Sequence, residues 1–223
     1  MTGLMLAAVP FAKSIHISPR LNAAYVNNPK VACSTLKLTL QQAELDYKPP
    51  LAVHAHEVSP LVTWPDITPT DDLLKGLFVF SFVRNPYARL RSAYLNKIVR
   101  PQKNGAFRKQ AGFAADEVPS FRDFVLAVCA QEPKKQDPHW RLQALNLSVG
   151  RISYDFIGHL ETFNADWEKL RAHLSLPANA TFAGKANKPD DAQALLFDKY
   201  MKNKVKTSYA TDFLTFGYDT KSI

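Results

Sequence analysis

Four short stretches hold side chains whose types and spacing could do chemistry. In NNPKVACSTLK, Asn27 to Lys37, Lys30 offers a compact positive charge. Ser34 and Thr35 add hydroxyl and backbone donors at the start of a helix, whose dipole favours an anion. In FVRNPYARLRSAYLNK, Arg84 could grip a phosphate bidentately. Ser92 stands six residues beyond Pro86, about 9 Å along a helix at ~1.5 Å per residue. An anion shared by Arg84 and Ser92 must therefore lie beside that helix and not at its tip. In VHAHEV, His54 and His56 are at i and i+2, so an extended segment points both imidazoles the same way, with Glu57 adjacent. His139, next to Trp140, is the remaining histidine of interest. Each stretch also has a plainer reading: a capped helix start with a solvated lysine, a small serine easing helix packing, a pair of ordinary polar or metal-binding histidines, and a packed imidazole.

The first stretch poses a puzzle. It has a proline, a lysine and a Ser-Thr pair where a phosphate loop would have them, yet it contains no glycine. A nucleoside-triphosphate loop would read GxxxxGK[ST], which argues against a Walker-type ATP or GTP site.

The elements that must position these residues follow a repeated grammar. Leu21 to Val26 is an apolar run closed by Asn27, Asn28 and Pro29, after which Leu36, Leu40 and Ala43 recur at helical spacing. Leu77 to Val83 is a Phe- and Val-rich strand, and Asn85-Pro86 supplies a helix cap and a first-turn proline. Tyr154 to Ile157 is a third strand, with Asn164 as the cap of a helix whose stripe is Trp167, Leu170 and Leu174. Three strand-turn-helix units predict an α/β fold with a central parallel sheet flanked by helices. Arg100 to Pro119 reads as an exposed basic loop, Phe121 to Ala130 as a helix, and a further helix precedes YATDFLTFGY. In such a sheet, ligands bind beyond the carboxyl ends of the strands, which is where the Lys30 and Arg84 loops emerge.

Composition bounds the rest. The 223 residues suit one domain spanning 1–223, and the +8 formal charge suits an anionic ligand or partner. Cys33 and Cys129 match neither a disulfide framework nor a zinc spacing, so they read as free thiols in a reducing compartment, with no metal expected. The N-terminal apolar run is broken by Pro10 and lacks a preceding basic region, so it reads as a buried segment. No stretch approaches the roughly 20 apolar residues of a spanning helix. A cytoplasmic protein is the expectation, with peripheral membrane contact left open.

The residues resemble a known family. NPKVACSTLK is similar to the 5′-phosphosulfate loop, and FVRNPYARLRSAYLNK to the 3′-phosphate segment, of carbohydrate sulfotransferases that use 3′-phosphoadenosine 5′-phosphosulfate (PAPS). In the second, Arg84, Pro86, Arg89, Ser92, Ala93 and Tyr94 fall in the family's order. HWRLQ, YDFIGHLETF and DFLTFGY resemble later blocks, so the likeness runs from about Asn27 to Tyr218.

The resemblance implies a P-loop-like three-layer sandwich and transfer of a sulfuryl group to a carbohydrate or glycoconjugate hydroxyl. It implies Lys30, Cys33, Ser34 and Thr35 at the 5′ side, although Cys33 stands where relatives often have a small hydroxyl residue. It implies Arg84 and Ser92 at the 3′-phosphate, and Asn187 and Lys188 in a basic loop over the nucleotide. The His-x-His segment is similar to that of heparan 2-O-sulfotransferases, which makes His56 the implied general base, with His54 beside it and Lys30 as the cation. Two other classes stay open. One is a nucleotide kinase-like P-loop protein; the other is a non-catalytic binder of acidic glycan or nucleic acid that uses Arg100, Lys103, Arg108 and Lys109.

Overall fold

The computed structural model describes residues 15–45, 61–64, 74–100, 105–177 and 195–221. Five strands form one sheet in the order β3-β1-β2-β4-β5: β1 (Ile15–Ser18), β2 (Ala23–Val26), β3 (Val62–Trp64), β4 (Phe78–Val83) and β5 (Phe156–His159). β2, β4 and β5 run parallel, as the strand-turn-helix pattern predicts. β1 is antiparallel to both its neighbours, so the expected parallel sheet is in fact mixed. The reason lies in the link between β1 and β2, residues 19–22. A link that short reaches only an antiparallel neighbour, since a parallel crossover needs about a dozen residues or more. Asn22 closes the turn in a left-handed conformation (φ 48°), one that asparagine tolerates better than most residues.

The chain divides into two compact units, Met1–Val83 with Leu145–Ala186, and Arg84–Ala144 with Asn187–Ile223. The first holds the sheet, α1 (Cys33–Glu44) and the later helix α6 (Phe163–His173). Along β4 the phenylalanines alternate, so Phe80 and Phe82 enter one core with Tyr25 of β2, Leu36, Leu40 and Ala43 of α1, and Trp167, Leu170 and Leu174 of α6. Each leucine or phenylalanine of this set contributes about 1.5–3 kcal/mol on burial, which holds β4 and the two helices together. β5 admits only glycine at 158, because a Cβ there would lie 2.3 Å from the Phe82 ring. The start of α6 differs from expectation. Its cap position is Thr162, not Asn164, and no side chain caps it; Asp166 instead accepts from the Thr162 hydroxyl and the His159 N–H.

The second unit is helical. α2 (Pro86–Ala93) runs directly into a π-helical turn (Tyr94–Val99), followed by α3 (Gly105–Ala111), α4 (Phe121–Ala130), and, near the C-terminus, α7 (Lys199–Ser208) and α8 (Ala210–Thr215). The short α5 (Gln143–Asn146) carries the chain back to the first unit. Aromatic rings fill the helical core: Tyr87 meets Phe197 and Phe213, Tyr94 meets Phe121 and Phe124, and Phe124 stands edge-on to Trp140. α4 spans the predicted residues, capped by Ser120. The presumed exposed loop 100–119 instead contains α3. Its buried residues are Ala111 and Arg108, the latter donating to the carbonyls of Ile98 and Ala115, so no run of large apolar residues marks the helix in sequence.

Candidate functional site

The Lys30 loop leaves β2 and is anchored before it turns. Asn28 is fully buried; its amide donates to the Phe82 carbonyl at the end of β4, and its oxygen accepts from Asn146. Beyond that anchor, Lys30 (φ 73°) and Ala32 (φ 50°) are both left-handed, while Val31 between them is not. Such an alternation is the kind of turn in which successive N–H groups can serve an anion. It answers the puzzle of the missing glycines, because two L-residues adopt the conformation glycine would supply, at about 1–2 kcal/mol each. α1 then starts at Cys33 with Ala32 as its cap, and no side chain caps this end. Alanine has no oxygen to offer the first-turn N–H groups that every helix leaves without an intrahelical acceptor.

Ser34 is exposed and Lys30, Cys33 and Thr35 are half-buried, so all four sequence-derived candidates lie on this one loop and helix start. Two buried neighbours escaped the sequence reading. Burial pulls the Lys37 ammonium below its ordinary pKa, against an opposing pull from Cys33. Burial also pushes the Tyr25 phenol well up, with Cys33 adding to the rise. Cys33 thus acts electrostatically on both a buried lysine and a buried tyrosine, a relation hidden in sequence because Tyr25 lies on the preceding strand.

In the second unit, Arg84 is the first residue past β4 and is half-buried, while Ser92 is buried near the end of α2, two residues before the π-helical turn begins at Tyr94. Asn85 caps α2 by accepting from the Tyr87 N–H at 2.9 Å, with Pro86 at the first helical position as predicted. The rest of the motif is structural. Arg89 is buried and donates to the carbonyls of Arg141 (2.6 Å) and Pro138 (2.7 Å). Burial lowers its pKa to about 10, with Asp212 opposing the fall. Tyr94 donates from its hydroxyl to the Pro119 carbonyl.

The HWRLQ and DFLTFGY blocks also acquire a place. Gln143 accepts the Arg84 N–H at 3.0 Å and donates to the Arg84 carbonyl at 2.8 Å. Buried Asp212 accepts from the backbone N–H groups of Gln143 (2.8 Å) and Ala144 (2.9 Å). Burial raises the Asp212 carboxyl, while those N–H groups and the Arg89 charge pull it back. His139 Nδ1 lies 2.6 Å from the Asp137 carboxylate. Burial works to raise Asp137, but the hydrogen bond and charge of His139, with Lys97, outweigh it and hold the carboxyl below its usual value.

His54, His56, Glu57, Asn187 and Lys188 lie outside the described residues. Among the described residues no group of three or more His, Cys, Asp or Glu could hold a metal ion, and no helix is long and apolar enough to cross a membrane. Both cysteines are free thiols.

The Lys30 segment follows β2 in the first unit and the Arg84 segment follows β4 in the second. A family model described as the sulfotransferase family matches residues 13–219, and the chain belongs to that family. It is 31% identical over 222 residues to carbohydrate sulfotransferase 14 of Danio rerio, covering 87% of this chain and 59% of the relative. It is 28% identical over 236 residues to the Mus musculus protein of the same name, covering 95% and 61%. Carbohydrate sulfotransferase 11 of Rattus norvegicus is 25% identical over 229 residues, covering 87% and 64%. The chain thus spans about three-fifths of the length of the curated relatives it matches. No solved structure gives a significant match.

Proposed function

We propose that this chain transfers a sulfuryl group from PAPS to a hydroxyl of a carbohydrate or glycoconjugate, within a P-loop-like three-layer architecture. The observation that carries the donor assignment is the start of α1: a left-handed Lys30 and Ala32 lead into a helix end with no side-chain cap, beside a lysine. A phosphosulfate fits this donor set, since it brings anionic oxygens to converging N–H groups and a helix dipole. Arg84 and Ser92 take the 3′-phosphate beside α2.

When bound, PAPS supplies the sulfuryl group and a phosphate leaving group. Lys30 places a positive charge where negative charge grows on the leaving oxygen. His56 accepts the proton of the acceptor hydroxyl as that oxygen attacks sulfur in line. Ser34 and Thr35 orient the 5′ end through hydroxyl and helix-start donors, and Asn187 and Lys188 add to the nucleotide contact. The reaction asks nothing of a metal. The carbohydrate class of acceptor is carried by the names of the relatives.

The test is calorimetric binding of 3′,5′-ADP, 5′-ADP and ATP, with and without magnesium, to wild type and Arg84→Ala, followed by transfer of labelled sulfate to a panel of glycans. The expected result is preference for 3′,5′-ADP without metal, loss of that preference with Arg84→Ala, and transfer reduced roughly 100-fold or more by His56→Ala. Binding only of ATP with magnesium would overturn the reading in favour of a kinase-like protein, and salt-sensitive glycan binding without transfer in favour of a non-catalytic binder.

A further inference from the structure

Arg84 occupies an awkward position for a residue asked to aim a charge. It follows Val83, the last residue of β4, so its own N–H and C=O fall beyond the β4–β5 ladder, whose last pair is Val83 with His159. Such groups need partners, and a backbone left without them samples several φ/ψ values. Side-chain direction follows the backbone, so the aim of the guanidinium would wander with it.

A single residue supplies partners to both groups. The Gln143 carboxamide has one acceptor and one donor group, which is the complement of a residue's own N–H and C=O. Its oxygen takes the Arg84 N–H and its nitrogen gives to the Arg84 carbonyl, as a neighbouring strand would. Gln143 is buried (0% exposed) and is itself fixed, because one Asp212 oxygen accepts both its backbone N–H (2.8 Å) and its Nε2 (3.4 Å). The other Asp212 oxygen holds Ala144. On the far side of Arg84, Asn85 closes the start of α2.

We infer that Gln143, held by Asp212, is the positioning residue of the 3′-phosphate site: it clamps the Arg84 backbone so that the guanidinium meets the phosphate that distinguishes 3′,5′-ADP from 5′-ADP. The inference rests on the donor reading proposed above. It assigns Gln143 no contact with the nucleotide. The clamp needs both functions of the carboxamide, so neither an apolar residue nor a carboxylate replaces it fully.

The experiment compares affinities for 3′,5′-ADP and 5′-ADP in wild type, Gln143→Met and Gln143→Glu, with a thermal melt on each. Methionine keeps the length and loses both hydrogen bonds; glutamate keeps an acceptor for the Arg84 N–H and loses the donor. In Gln143→Met, affinity for 3′,5′-ADP is expected to fall about 10-fold or more, the scale of a misaimed contact. Affinity for 5′-ADP should stay within about 2-fold, because a positioning residue that acts only on the 3′-phosphate leaves uniform binding untouched. Gln143→Glu should fall between methionine and wild type. In turnover assays the donor KM should rise with kcat at saturation little changed. A merely structural role would weaken both nucleotides together, and an unchanged preference in a folded variant would overturn the inference. If neither variant melts cooperatively, hydrogen exchange on the wild type decides. The Arg84 amide should slow with 3′,5′-ADP and not with 5′-ADP, and equal effects overturn the assignment. Absence of any 3′-preference in wild type is a separate outcome, which overturns the donor reading as well.

Discussion

The two helix starts that follow parallel strands are built in opposite ways. α2 is closed by the protein itself: Asn85 accepts from Tyr87, Pro86 occupies the first position, and Gln143 secures the residue before the cap. α1 has an alanine at the cap, in left-handed geometry, with no side-chain cap. A helix end already capped has less to give an anion through its backbone, so the second segment is suited to binding through side chains, Arg84 and Ser92, beside the helix. The end without a cap is suited to binding through its N–H groups.

The largest expected effect tests how rigid the capped segment is. Arg89→Met should cost about 3–5 kcal/mol of stability, because it leaves the Arg141 and Pro138 carbonyls without their charged donor. Urea unfolding measures it. A loss below about 1 kcal/mol, the level of a surface pair, would mean that the segment around α2 is not held as tightly as its hydrogen bonds imply.

Asn85→Ala should cost about 1 kcal/mol, the usual effect of removing a helix cap. The same melts check it. This change gives α2 the cap residue that α1 already has, so equal stability in variant and wild type would erase the energetic difference between the two helix starts.

How much of this could be read in the sequence depends on the range of the interactions. The strand of Phe80 and Phe82, the Asn85-Pro86 start and the helix Phe121 to Ala130 are local signals, and all three elements lie where the residues predict. β1 and β3 are four and three residues long, too short for an alternating pattern, and they are fixed by pairing with distant partners. α3 was hidden by buried Arg108, since a charged inward residue breaks the expected apolar stripe. The candidate loops were legible because lysine, arginine and hydroxyl residues cluster there. Gln143 and Asp212 were not, although both lie in blocks that drew notice. A glutamine 59 residues from Arg84 announces nothing about which peptide it clamps. Left-handed geometry at Lys30 and Ala32 was likewise invisible, because neither residue type signals it.

The smallest expected effect bears on that geometry. At Ala32 the left-handed conformation costs an L-residue about 1–2 kcal/mol, and glycine removes this cost while adding about 0.4–1 kcal/mol of unfolded-state entropy. Ala32→Gly should therefore raise stability by roughly 0.5 kcal/mol, seen as a rise of about 1–2 °C in Tm for a chain of this size. The N–H groups keep their places, so affinity for 3′,5′-ADP should stay within about 2-fold, on the reasoning that a removed methyl alters uniform binding little. A clear fall in Tm would show that residue 32 does not rest in left-handed geometry. The nest-like turn would then be lost, and with it the contrast between a helix start with no side-chain cap and one capped by Asn85.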